Sequence, residues 1–221
     1  MKLKLLKNGI LMLGIFKYIK LILKKNRIRI FSKKNNLILD GKSDLKNITL
    51  KINGENNKVI FNRIKLRNVN ISIQGNNNTL EFKSFGFIQN SLLDTNGNDN
   101  TIKIGKNILI NGIKIWNWEN NGNIIIGDNC LFAHDIELRN TDSHPIYDMR
   151  TNKRINYSKD VIIKNRVWLA SGVRILKGVV IEEGNVIGQQ AVISKSIERK
   201  NCIVVENGKI VKENIKWERD F

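Results

Sequence analysis

Proline, cysteine and histidine are the scarce residues of this chain: one, two and two among 221. The two cysteines, Cys130 and Cys202, make no framework of pairs. That argues against a secreted disulfide scaffold and fits a reducing compartment. Each reads as a small core hydrophobe. A zinc site wants about three His or Cys ligands together. His134, His144 and two distant cysteines do not supply them, so no metal is expected. No Cys/His finger and no aromatic RNP pattern is present, so no nucleic-acid partner is expected. The longest uncharged run in the basic N-terminal stretch, residues 8–16, is far too short to span a bilayer. A nucleophile elbow is also missing, and Ser143 beside His144 is poorly placed for attack. The lone proline, Pro145, directly follows His144, and that conjunction marks the pair.

What the chain does have is positive charge, a formal +18 with a pI near 10. Such a charge suits an anionic partner: phospholipid, a nucleotide-like cofactor or an acidic glycan. Lys, Asn and Ile are over-used together, however, as a compositional bias of a whole proteome would also give. Hydrophobic residues make up 41% of the chain, enough for one sizeable core.

The most regular stretch is 163–193. An aliphatic opens every block of six: Ile163, Leu169, Ile175, Ile181, Ile187 and Ile193. A period of six fits neither a helix nor a flat strand. It fits a chain that turns a corner every six residues, closing a coil of about 18, so the expected fold is an all-β parallel β-helix. A looser repeat precedes it. Asn36, Asn57, Asn78, Asn100 and Asn123 recur at 21 to 23 residues, each with an aliphatic two places on. Gly and Asn enter left-handed backbone cheaply, so these segments are read as corners.

The expected organisation is a basic amphipathic helix over 1–31, a β-helix over 32–203, and a C-terminal cap over 204–221. The helix either lies on an anionic membrane surface or caps the open end of the solenoid. The six-residue register breaks at 140–160, where no inward aliphatic falls on the expected points. A polar insertion between two formed coils leaves the solenoid as a loop, and such loops carry function. His144 lies in it, within TDSHPIYD, flanked by Asp142, Tyr147 and Asp148. Imidazole is the natural general base for a hydroxyl near neutral pH. His134, in an A-H-D step, is the weaker alternative. Trp168 precedes the inward Leu169 and should point outward, as the wall of a site or of a subunit interface.

From about 126 to 212 the chain resembles the hexapeptide-repeat acyltransferases, with galactoside and capsular polysaccharide O-acetyltransferases nearest in pattern. The resemblance rests on His144-Pro145, on Val167-Trp168-Leu169-Ala170-Ser171, and on Gly188-Gln189-Gln190-Ala191-Val192-Ile193-Ser194-Lys195. The usual final motif survives only as Asn207-Gly208-Lys209-Ile210-Val211-Lys212, without its proline. The resemblance implies a left-handed β-helix, assembled as a homotrimer with sites between neighbouring copies. It implies acetyl-CoA as donor, a sugar or polysaccharide hydroxyl as acceptor, His144 as general base and Trp168 beside it. Ala170, Ser171, Gly188, Gln189, Ser194, Lys195 and Lys209 would line the coenzyme groove, with Lys212 the alternative to Lys209. Arg139, Asp142 and Tyr147, with Arg150 or Arg154, would face an acidic acceptor. Asp142 or a main-chain carbonyl would orient the imidazole. The cytoplasm, or its membrane face, follows from the donor. Two rival readings remain open from the sequence: an N-acetyltransferase of an amino sugar nucleotide, and a non-catalytic solenoid that binds anionic glycan or membrane.

Overall fold

In a computed structural model, which describes residues 25–219, the six-residue period becomes a three-sided parallel β-helix. Ile163, Leu169, Ile175, Ile181, Ile187 and Ile193 all point inward and are at most 1% exposed. Their strands are two or three residues long, and each pairs in parallel with the strand one coil on: Ile163 with Ile181, Leu169 with Ile187, Ile175 with Ile193. Side chains alternate across a strand, so Trp168, Arg174, Val186 and Val192 point out.

The first face is a sheet of seven described strands, from Asn36–Leu39 to Val180–Ile181. The second and third faces share one sheet, because in the early coils a single strand covers both. Asp44–Asn53, Ile64–Gln74 and Gly86–Asn96 each turn a corner midway, at Asn47, Asn68 and Asn90, whose φ values are 56, 54 and 50. Asparagine tolerates this left-handed backbone. The backbone pairing skips these residues, and their side-chain amides bridge the gap: Asn47 Nδ2 donates to Asn68 Oδ1 at 2.9 Å, and Asn68 Nδ2 to Asn90 Oδ1 at 3.0 Å. Further on the strand divides, Phe87 pairing with Leu109 and Leu92 with Lys114.

The looser asparagine repeat is a buried ladder. Asn57, Asn78 and Asn100 stack inside the corner between the third and first faces, each Oδ1 accepting the next coil's backbone N–H at 2.7 to 2.9 Å. The left-handed residues are their neighbours, Gly54 with Asn56, Gly75 with Asn77, and Gly97 with Asp99. At the two ends the ladder position is held by Asn35 and Gly122, not by Asn36 and Asn123. Gly122 has no room for a side chain: a Cβ would come 2.3 Å from the Asn140 amide.

The helix expected over 1–31 lies outside the described residues except for its last seven, and of these Arg27–Ile30 form a strand paired with the third face. At the other end Lys209–Lys212 folds back antiparallel on Ile203–Val205. The tail then runs back along the corner before the second face. Ile215 N–H donates to Asn201 O, Trp217 Nε1 to Arg166 O, and Arg219 Nη1 to Asn107 O.

Candidate active site

The insertion grows out of the corner that ends the third face. Asn140 anchors its start, donating from a buried amide to Asn117 Oδ1 at 2.8 Å, while Lys159 N–H returns to Asn140 O at 2.9 Å. The tip is a small hairpin: Tyr147 bridges Arg154, and Asp148 Oδ1 accepts the N–H groups of Arg150 and Thr151. These donors hold the Asp148 carboxyl below its ordinary range.

Asn156 is the internal post. Its Oδ1 accepts Ile146 N–H at 2.7 Å, and its Nδ2 donates to Asp142 Oδ2 at 3.0 Å and to His144 O at 2.8 Å. The main chain at His144 is therefore fixed from both sides. Pro145 disfavours helical backbone at His144, and Ser143 before it sits at φ 70. The His144 ring is exposed and makes no hydrogen bond among the described residues. Held backbone and open ring suit a base that must meet an incoming hydroxyl.

Asp142 is engaged by Lys177 Nζ and Asn156, not by the imidazole. The Lys177 hydrogen bond, joined by that of Asn156, lowers its carboxyl below the usual range. Arg139 is gripped by Glu137 at 2.7 Å and reaches Ser143 Oγ at 3.4 Å. Glu119 receives both Arg154 and Thr141. Burial would push the Glu119 carboxyl up, but those two partners outweigh it and it stays low. Arg139, Asp142 and Tyr147 thus stand with His144 at one corner. The side chains that strut the loop, Glu119, Asn156 and Lys177, were not singled out in the sequence. They lie in unrelated motifs, and nothing in their spacing marks them.

Trp168 stands elsewhere, on the outer side of the second face. Its ring meets Trp217 of the C-terminal tail, centroids 6.0 Å apart. The same tail indole donates to Arg166 O at 2.9 Å. A tryptophan in an otherwise charged tail was the available signal for this contact. Outward on the second face, in one row across successive coils, are Phe87, Leu109, Leu131, Trp168, Val186 and Ile203.

The residues predicted for the coenzyme also fall into two groups. Ala170 and Ser171 stack under Gly188 and Gln189 at the corner between the second and third faces, with Ala170 N–H on Ile187 O and Gln190 N–H on Ser171 O. Lys209 pairs with Val205 next to them. Ser194 and Lys195 instead follow Val192–Ile193 at the third-face corner, one coil beyond Lys177. His134 belongs to the first group, its Nδ1 3.2 Å from Ser171 Oγ. Cys130 is buried, and that burial pushes its thiol up to about 12, which removes it as a nucleophile.

The predicted site residues therefore fall into two groups on one chain. His144, Arg139, Asp142, Tyr147, Ser194 and Lys195 lie at the corner ending the third face. Trp168, Ala170, Ser171, Gly188, Gln189 and Lys209 lie at or beside the corner ending the second.

No family model matches the chain. Among curated proteins it is similar to polysialic acid O-acetyltransferases. It is 36% identical over 97 residues to that of Escherichia coli O1:K1, covering 44% of this chain and 32% of the relative. It is 58% identical over 57 residues to that of Neisseria meningitidis, covering 26% of each. These alignments thus span a third or less of the relatives' own length. A solved structure titled as the polysialic acid O-acetyltransferase OatWY covers far more: 89% of this chain and 92% of that one, at 35% identity and a TM-score of 0.80.

Proposed function

The chain belongs to the hexapeptide-repeat acyltransferases, and from that premise we propose that it moves an acetyl group from acetyl-CoA to a hydroxyl of a surface polysaccharide, with His144 as general base. The observation that carries the reading is the insertion, a loop strutted from Glu119, Asn140 and Lys177 that presents an exposed imidazole on a fixed backbone near its start.

His144 removes the proton of the acceptor hydroxyl as its oxygen attacks the thioester carbonyl, and returns that proton to the departing thiolate. Acetyl-CoA supplies a carbonyl already activated by sulfur, so no covalent enzyme intermediate is needed. Holding donor and acceptor side by side removes most of the entropic barrier. Trp168 forms the wall opposite. The stacked corners at Ser171 and Gln189, with Lys209 beside them, fit an extended arm that ends in phosphate, and Lys195 adds a second point charge. Arg139 and the fully projecting Arg150 suit a carboxylated sugar, which agrees with the polysialic acid named for the relatives. The donor and the unpaired thiols favour the cytoplasm.

The working unit in this reading is a homotrimer, because the two groups of one chain stand on different corners. Both carry apolar side chains on the outside of the solenoid. The loop exposes Ile146, Tyr147, Met149, Ile155 and Tyr157, Met149 at 99%. The second face offers the half-buried outward row that includes Trp168, whose ring meets Trp217 of the same chain. Exposed apolar clusters of this kind mark interfaces. Docking the loop of one copy against the second face of the next brings His144 to Trp168.

The test is thiol release from acetyl-CoA against a panel of sugars and capsular glycans, with the acylated product identified by mass. His144→Ala should lower kcat by roughly 10²–10⁴-fold, the usual range for a general base, while acetyl-CoA still binds. His134→Ala should retain most activity. Full activity in His144→Ala would overturn the assignment.

A further inference from the structure

The positive charge of this chain is not spread along it. The first 70 residues hold 18 Lys and Arg against 3 Asp and Glu; the remaining 151 hold 20 against 17. A compositional bias would spread evenly, so +15 of the +18 at one end needs another cause. In the solenoid the described part of that end, residues 25–70, is the tip and the coil behind it. Its three carboxylates are already used, Glu55 by Lys34, Asp40 by Arg63 and Asp44 by Arg67. Nine cations are left with no carboxylate in ion-pair range among the described residues: Lys25, Arg27, Arg29, Lys33, Lys42, Lys46, Lys51, Lys58 and Lys65. All nine are exposed.

Their arrangement decides what they fit. Arg27 and Arg29 point out from the third face, since Ile28 and Ile30 between them pair with the inward Leu50 and Ile52. Lys33 lies at the turn before the first face, Lys42 at the turn after it, and Lys46 on the second face. The charges therefore ring the tip instead of lining one side. A linear polyanion lying along the solenoid would be served by a stripe on one face; a ring at the end of a rod fits a plane. Lys51, Lys58 and Lys65 are one coil further back, about 5 Å by the spacing of paired strands. The screening length is about 10 Å at 0.1 M salt, so all nine act on a plane touching the tip while later coils are screened from it. Phe31, 63% exposed, sits among them. The sequence that leads into Lys25, residues 1–24, holds six lysines, no acid and fifteen apolar residues.

We infer that the N-terminal tip of the solenoid docks end-on to an anionic phospholipid surface. The third-face corner and its loop then stand several coils from the lipid, free to meet a polysaccharide growing there. The inference stands apart from the acetyl-transfer reading, since it uses none of its residues.

Flotation of the full chain with vesicles tests it. At 0.1 M salt the protein should float with vesicles containing phosphatidylglycerol and stay down with pure phosphatidylcholine, and binding should fall steeply as salt rises. The variant Arg27→Glu, Arg29→Glu, Lys46→Glu, Lys51→Glu should partition at least about tenfold less. A control with the same change of net charge, Lys103→Glu, Lys114→Glu, Lys164→Glu, Lys200→Glu, should bind nearly as the parent does. Equal loss in both variants would reduce the effect to net charge and overturn the inference. Undiminished binding of the tip variant would assign it to residues 1–24 alone, with the same consequence. No flotation, with retention on an immobilised anionic polysaccharide that the tip variant loses, would give the tip to a glycan and also overturn it.

Discussion

At the scale of the residue, asparagine governs this fold in two distinct ways. Outside, at Asn47, Asn68 and Asn90, it takes the left-handed corner. Inside, at Asn57, Asn78 and Asn100, it replaces backbone pairing where one coil passes to the next. Asn78 is 1% exposed; its Nδ2 donates to Asn57 Oδ1 and Gly97 O, and its Oδ1 accepts Asn100 N–H. Asn78→Ala leaves the buried Asn100 N–H unmatched, at about 1–3 kcal/mol, and deprives the half-buried Gly97 carbonyl of its donor. The expected loss is at least about 2 kcal/mol, read as a lower urea midpoint with unchanged slope. Asn36→Ala should cost no more than about 0.5 kcal/mol, because that residue is exposed and outside the ladder. Equal costs would refute the distinction. It is one the sequence could not make: both residues sit in the same 21-to-23 spacing, and only the fold separates the inner rung from the position after it.

At the scale of the element, the short strands were legible and the loop only half so. Six aliphatics at six register points specify the coils of 163–193, since each must point inward for the coil to close. The broken register at 140–160 marks an excursion equally well. How that excursion is held was hidden, because its struts come from Glu119, Lys177 and the far side of the loop itself. Those struts make it sensitive to acid. Asp142 has its pKa lowered by Lys177 and Asn156. Its contribution to holding the loop is therefore complete above the ordinary aspartate value, about 3.9. It is lost as pH falls through the lower value of the folded state. Asp148 acts in the same direction, through the N–H groups it accepts. Lys177→Met removes the first cause, so Asp142 should titrate at higher pH, and the side-chain amide of Asn156 should lose its protection earlier in an acid titration followed by NMR. An unchanged profile would show that Lys177 does not hold the loop.

At the scale of the whole molecule, the residues proposed for one site stand in two groups, on different corners of one chain. Linear order cannot reveal this, because the motifs carrying His144 and Trp168 are only 24 residues apart in sequence yet leave the solenoid on different faces. The proposed homotrimer would join the two groups through a head-to-tail interface, which uses a different patch on each side. The consequence is specific. His144→Ala and Trp168→Ala, each nearly inactive alone, should complement when unfolded together and refolded as a mixture. In that trimer each interface would take one group from each neighbour, so an equal mixture should form an intact pair at about one interface in four, restoring about a quarter of parental activity. A site contained within one chain would give no recovery at any mixing ratio. Met149→Glu, which puts a charge on the loop's exposed apolar tip, should lower both the trimer mass in light scattering and the activity. If the mass falls and activity stays, the loop joins the copies but the chemistry does not need the junction.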